Sequence, residues 1–261
     1  MTHKTTEQSV AEALEAPLEL LPFLPELLAD FEELGGSASM ILDFLKPLKL
    51  DPEKTRVLDL GCGRGTISLA LADKLGWRVR GIDAFEPFVR AAREEAKRRE
   101  LSHLCSFELG DLRDVVRHIS EYDVLIFSAV GPVLGDLEQT GGILRRLLRA
   151  GGYLVIDDGV LVDAGVTPPS YLDAYAPPDE TRRRLTAHGD RILREVILPA
   201  EEAREAVRHD TEKIRRRAHA LSKRYPEKAP LFDAYVKRQE YEESLIGDVL
   251  LYAAWLIQKG E

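Results

Sequence analysis

From Arg56 onward the chain alternates between short apolar runs and longer stretches in which apolar residues return every three or four positions. Runs of the first kind suit buried strands, and stretches of the second suit helices with one apolar face. Residues 56–60, 77–82, 104–109, 123–127 and 153–157 therefore read as strands. Residues 66–75, 87–99, 112–120 and 137–149 read as the helices between them, the last stopped by Gly151-Gly152. In the second helix Glu94 with Arg98, and Glu95 with Arg99, form pairs four apart in the favourable orientation. Strands that alternate with helices need crossover connections, so the pattern predicts a doubly wound α/β domain around a mostly parallel sheet.

The flanks follow other rules. Residues 1–16 are polar and Glu-rich and read as loosely held. Residues 18–34 have helical spacing broken by Pro22 and Pro25, and Ser37, after Gly35-Gly36, fits the N-cap of a helix over 38–47. Past the fifth strand, 158–178 is a loop rich in Gly and Pro. Residues 191–198 form a strand halted at Pro199, 201–244 a charged helical segment interrupted by Pro226 and Pro230, and 248–258 a last apolar strand. The expected organisation is an N-terminal helical cover (1–50), an α/β core (51–200), a helical insertion or lid (201–247) and a final strand that completes the core sheet (248–261).

The stretch Leu58-Asp59-Leu60-Gly61-Cys62-Gly63-Arg64-Gly65 carries the chemistry. A buried strand runs into alternate glycines and then a helix, so the backbone can turn sharply and a ligand can approach it closely, at the positive end of the helix. Asp83 ends the second strand 18 residues after Gly65, where a carboxylate can accept from a ribose diol. Asp111 follows the third strand, where a carboxylate can accept from an adenine amino group beside the Leu112 N–H. Either acid alone reads equally as a helix cap. Together with the glycine loop they fall at the C-terminal ends of three consecutive strands, where open α/β sheets bind ligands.

These residues resemble the class I methyltransferase family that uses S-adenosylmethionine (SAM), small-molecule type, over roughly 50–158. Gly81-Ile82-Asp83, Gly110-Asp111, Tyr122-Asp123-Val124-Leu125-Ile126-Phe127-Ser128 and Gly151-Gly152-Tyr153-Leu154-Val155-Ile156-Asp157 match the family's further motifs. The resemblance implies a Rossmann-like, seven-stranded sheet whose last strand inserts antiparallel beside the fifth. It implies that SAM is the cofactor and S-adenosylhomocysteine the product. Asp59 and Gly61 would then line the methionine end, Asp83 with Ala84 the ribose, Asp111 with Leu112 the adenine, and Cys62, Gly63, Gly65 and Ser128 the rest of the site. NAD fits less well: its fingerprint is GxGxxG, position 66 is Thr, and Asp59 would repel a pyrophosphate. A P-loop is excluded because no Gly-Lys-Ser/Thr follows.

Composition narrows the acceptor. The 261 residues carry a net charge of −9, which argues against a general nucleic-acid or anionic-membrane binder. The polar N-terminus lacks a signal-peptide core, and no apolar run approaches the length of roughly 20 residues that a membrane helix needs. Two cysteines, Cys62 and Cys105, outside any metal-ligand spacing, predict no metal site and fit a reducing cytosol. The fourth strand ends in Phe127-Ser128-Ala129-Val130-Gly131-Pro132, without the Asn/Asp-Pro-Pro-Tyr pattern of families that methylate base or amide nitrogens. A small-molecule acceptor under covers is the expectation, with Asp157, Asp158, Tyr171 and Tyr175 as candidate catalytic residues. His188 and His209 lie in charged surroundings and read as exposed. Two alternatives stand beside it. The run Glu212-Lys213-Ile214-Arg215-Arg216-Arg217, with Lys223 and Arg224, keeps an RNA or other anionic acceptor open, and a SAM-binding protein without catalysis is the second.

Overall fold

The computed structural model describes residues 4–162, 165 and 168–260. Five parallel strands, β1 (Arg56–Leu60), β2 (Arg78–Asp83), β3 (Cys105–Leu109), β4 (Tyr122–Ser128) and β5 (Leu148–Leu161), are joined by helices α4 (Thr66–Leu75), α5 (Glu86–Arg98), α6 (Leu112–Val115) and α7 (Leu137–Leu144). Strands β6 (Arg191–Ile197) and β7 (Leu250–Gln258) complete a seven-stranded sheet of order β3-β2-β1-β4-β5-β7-β6. β7 is antiparallel to both β5 and β6, and is slotted between them. The order reverses between β1 and β4, so the crevice for a ligand opens above their C-terminal ends.

Apolar side chains cover both faces of the sheet. One core packs α3 (Ala38–Leu45), α4 and α5 on one face, with Phe44, Leu69 and Val89 buried. The other gathers Phe127, Leu144 and Trp255 with Leu185 of α8 (Pro178–Leu185). A third core lies outside the sheet. Leu20, Leu24 and Leu27, from a 3-10 turn over Leu18–Phe23 and α2 (Leu24–Leu27), pack on Ile214, Leu221 and Phe232. The last three belong to α9 (Ala200–Arg224) and α10 (Ala229–Leu245), and Phe88 of α5 anchors the cluster to the sheet domain. The N-terminal segment and the late helices thus share a core of their own outside the sheet. Arg217 with Asp30 and Arg224 with Glu26 tie them further.

Several elements depart from the sequence pattern. Residues 4–16 are ordered: α1 (Thr6–Ala13) starts with a reciprocal capping box between Thr5 and Gln8. The helix expected to reach residue 149 ends at Leu144 and tightens into a 3-10 turn over Arg145–Leu147, and β5 begins at Leu148. Gly151-Gly152 serve a bulge in that strand, where the register against β4 jumps between Tyr122 and Val124. β5 also runs on to Leu161, so the loop starts later than expected, and positions 163, 164, 166 and 167 of it lie outside the described residues. α6 has a single turn, and α8 falls in a stretch too charged to show an apolar period.

Candidate active site

The loop after β1 folds back over β2: the Gly61 and Cys62 N–H groups donate to the Ile82 carbonyl at 2.8 and 3.1 Å. Gly63 then takes φ +52°, a left-handed conformation that costs a residue with Cβ, and its N–H donates to Asp83 Oδ2 at 2.8 Å. Asp83 Oδ1 accepts from the Phe85 N–H at 2.8 Å. Each carboxylate oxygen keeps a lone pair for a further donor. Burial raises the Asp83 carboxyl above its usual range. Asp83 is therefore both a loop clamp and an acceptor on the pocket wall.

Asp59, at 1 % exposure, is the most deeply buried acid here and accepts from Ser68 Oγ at 2.6 Å. Burial pushes its carboxyl up to about 7, with the nearby Asp83 adding to the shift. Asp111 differs. It caps α6 through the Arg113 N–H, and its oxygens also accept from Arg113 Nε and Nη2 and from Thr6 Oγ1. Those four donors fill the roughly four lone-pair sites of a carboxylate. The Arg113 guanidinium in particular holds Asp111 down at about 2. An adenine amino group would need one of these donors to let go.

The pocket above these strands encloses about 990 Å³ of empty space, its open mouth included. Asp59, Gly61, Cys62, Gly63, Asp83, Ala84, Asp111, Leu112 and Ser128 all lie on its wall. Gly65 does not. A Cβ there would come within 2.7 Å of the Phe107 ring and 3.1 Å of Ala92 Cβ, so this glycine lets the loop press onto β3 and α5 rather than admitting a ligand. The sequence suggests an N-terminal cover but singles out no site residue within it; Thr6, Ser9 and Val10 of α1 also line the pocket. Their signal was the Thr5…Gln8 capping pattern. Phe85 and Phe88, edge to face at 4.8 Å, also line it.

A larger cleft of about 3780 Å³, mouth included, adjoins it, and contains all four candidate catalytic residues. Asp157, at the level of Ser128 on the neighbouring strand, accepts from Ser128 Oγ at 2.5 Å and from the Ala129 N–H at 2.8 Å. Burial lifts its carboxyl to about 6. Asp158 accepts from the Gly159 N–H at 2.8 Å and lies beside the Tyr175 hydroxyl, and burial lifts it to about 7. The Tyr175 phenol is pushed up by its own burial and by Asp158. Tyr171 is 39 % exposed and carries the Arg238 guanidinium over its ring at 4.1 Å. Gly36 seals the join: a Cβ there would strike Ser128 Oγ at 1.7 Å and Asp157 Oδ2 at 2.7 Å. Among the described residues there is no cluster able to hold a metal ion, and no helix is long and apolar enough to cross a membrane.

The sheet order, the glycine loop and the acids at successive strand ends define the class I, SAM-dependent methyltransferase fold. The model of the methyltransferase domain family matches residues 51–193, and the chain belongs to that family. Nocamycin O-methyltransferase of Saccharothrix syringae is 34% identical over 156 residues, 56% of this chain and 53% of that protein. The chain spans about half the length of the curated relatives it matches. Among solved structures, a SAM-dependent methyltransferase of Thiobacillus denitrificans with bound S-adenosylhomocysteine superposes with a TM-score of 0.72 at 16% identity. That match covers 90% of this chain and 97% of the other. The cyclase SpnF reaches 0.72 at 20% identity, covering 100% and 98%.

Proposed function

We propose that the pocket over β1–β3 binds SAM and that the chain transfers its methyl group to a small molecule seated in the adjoining cleft. The observation that carries this reading is the shared wall. Ser9, Ala13, Gly36, Ala129, Val130 and Val133 border both cavities, so a donor and an acceptor would meet across one boundary. Bound SAM would supply an electrophilic methyl on a sulfonium that carries its own leaving group. The protein then has to position the partners, exclude water and take up a proton. The cradle suits that ligand: Asp83 offers free lone pairs at the ribose position, and Asp59 offers negative charge near the methionine end. Asp157 and Asp158 are buried proton acceptors on the wall of the cleft. The proposed division of labour is core, N-terminal cover and late insertion, the last two closing the cleft.

An RNA acceptor is less well supported. Lys213 is paired with Asp210, Arg215 with Glu212 and Glu240, Arg217 with Asp30 and Arg224 with Glu26. The basic run is largely occupied within the chain rather than presented to phosphates. Calorimetric titration with SAM, S-adenosylhomocysteine and NAD tests the proposal. Micromolar binding of both sulfur ligands and none of NAD is expected. A folded sample that binds neither sulfur ligand would refute the reading.

A further inference from the structure

The acceptor cleft is charged in one sense. Its wall carries ten acidic and five basic side chains. The five basic groups are already engaged. Lys4 pairs with Glu12, Arg113 with Asp111, Lys213 with Asp210 and Arg238 with Glu242, while Arg194 donates to the Asp43 carbonyl and stacks on Phe44 at 4.8 Å. On the acidic side, Asp157 and Asp158 at the floor and Asp43 and Glu202 at the rim have no basic partner among the described residues. A cleft with this surplus concentrates cations and repels anions.

The aromatic groups are placed to the same end. Tyr171, Tyr175 and Tyr252 line the cleft, and Tyr171 already holds a guanidinium, that of Arg238, at 4.1 Å from its ring centre. The face of a phenol ring stabilises a cation, and more so once water is excluded. Carboxylates at the floor, phenol rings on the wall and an opening onto the donor pocket together describe a receptor for an organic cation.

Resting on the donor reading above, we infer that the methyl acceptor is an amine that enters the cleft as its ammonium ion. In the reaction the ammonium first gives a proton to the Asp158 carboxylate, which the Tyr175 hydroxyl orients. The freed nitrogen lone pair then forms the new N–C bond as the methyl–sulfur bond breaks, and that bond's electron pair stays on sulfur. The product is a methylated ammonium ion, which the same acidic wall holds until S-adenosylhomocysteine leaves and the Asp158 proton passes to water. An alcohol or carboxylic acid acceptor would use none of the excess charge, and a carboxylate would be repelled by it.

The test uses the full chain and three probes of similar size: phenethylamine, 2-phenylethanol and phenylacetate. Each is titrated calorimetrically at low salt, with and without S-adenosylhomocysteine, whose own binding is measured first. Phenethylamine is expected to bind at least about tenfold more tightly than the alcohol, the scale of one desolvated cation–π contact plus a nearby carboxylate. Phenylacetate should bind most weakly, and the preference should shrink at high salt. Asp158→Asn should remove most of it. The Asp43→Asn/Glu202→Gln double variant changes exposed side chains that leave the fold intact. It should reduce the preference about threefold, with S-adenosylhomocysteine affinity unchanged. Equal affinities for amine and alcohol, tighter binding of phenylacetate, no measurable amine binding, or a preference untouched by both variants would each overturn the inference. Binding of S-adenosylhomocysteine in those samples leaves the donor reading standing. Its absence alongside an intact amine preference removes the donor reading and keeps the cation site.

Discussion

The pocket over β1–β3 is organised around a turn fixed by main-chain hydrogen bonds, and the cleft beside it around side chains from separate segments. In the pocket, backbone N–H groups of Gly61, Cys62 and Gly63 are fixed by the Ile82 carbonyl and the Asp83 carboxylate, and the ligand surface is what a tight turn leaves open. In the cleft, Asp157, Asp158, Tyr171, Tyr175, Arg238 and Glu242 come from β5, the following loop and α10, and meet only because the cover closes over the sheet. A turn held through its main chain tolerates little change in sequence and suits a constant ligand. A wall made of side chains on separate segments can change its charge and shape without disturbing the turn. Variants that strike one wall and spare the other are the way to test that division.

The largest effect is expected at Gly63. Valine there would have to keep φ +52° with a branched Cβ, which would also press on Leu34 Cδ1 at 3.3 Å. A bulky residue forced into that region costs roughly 1–3 kcal/mol and pushes the loop out of register with Asp83. Gly63→Val should lower S-adenosylhomocysteine affinity at least about 100-fold while circular dichroism shows an intact fold. Retained affinity would mean that the loop is not the donor wall. Next comes Asp83→Ala, which removes the free ribose acceptor and strips the Gly63 and Phe85 N–H groups of their partner. A loss of about 1.5–3 kcal/mol in binding is expected, and a loss under a few tenths would reduce Asp83 to a turn clamp. Neither variant should alter the amine preference of the cleft.

The same contrast explains what could be read from the sequence. Asp59, Gly61, Gly63, Asp83 and Asp111 are legible because each is tied to its own strand end, at a spacing set by one βαβ unit after another. The parallel part of the sheet followed from the same alternation, and the antiparallel last strand was implied by the family resemblance. The cleft was less legible. Asp157 and Asp158 stood out only as acids at a strand end, and nothing local says that Gly36, more than a hundred positions earlier, presses on Ser128 and Asp157. Gly65 is the opposite case. It belongs to the glycine motif by position, yet its missing Cβ makes room for Phe107. α1 was lost among polar residues because it packs one face on the pocket and keeps only Ala11 fully buried, too little apolar content to set a period.

A smaller effect is expected from pH, and it separates the two walls by their charges. Burial raises the Asp59 carboxyl from 3.8 to about 7, so the folded chain holds a proton there that the unfolded chain has released between those values. Stability should therefore fall as pH rises from about 4 to 7, and level off above, with Asp59→Asn flattening the trend in urea unfolding. Binding runs the other way. A sulfonium ligand favours the ionised carboxylate, so SAM affinity should rise towards pH 7, by at most about tenfold per unit, and more steeply than that of the uncharged thioether product. Calorimetry in buffers of different ionisation enthalpy should show proton release on SAM binding near pH 6.5. A pH-independent SAM affinity would place the sulfonium away from Asp59.

The smallest effect concerns α1, which belongs to both walls, since its Ser9 and Ala13 border pocket and cleft alike. Its side-chain bond to the pocket floor is Thr6 Oγ1 to Asp111 Oδ2 at 2.8 Å, assisted by Arg113 Nη1 to the Lys4 carbonyl at 3.1 Å. At its far end Tyr235 donates to the Leu14 carbonyl at 3.2 Å and Gln239 to Glu15 at 3.2 Å, and these hold the helix to α10 whether or not the latch is closed. Thr6→Val keeps the shape and deletes the latch, a change worth about 0.5–1.5 kcal/mol. It also frees one acceptor position on Asp111. Opening the mouth aids entry and exit equally, so stopped-flow traces should show S-adenosylhomocysteine associating and dissociating a few times faster, with the equilibrium constant nearly unchanged. Tighter binding instead would show that the adenine amino group takes the place of the Thr6 hydroxyl on Asp111. Unchanged rates would show that α1 is a fixed wall, held by α10 alone.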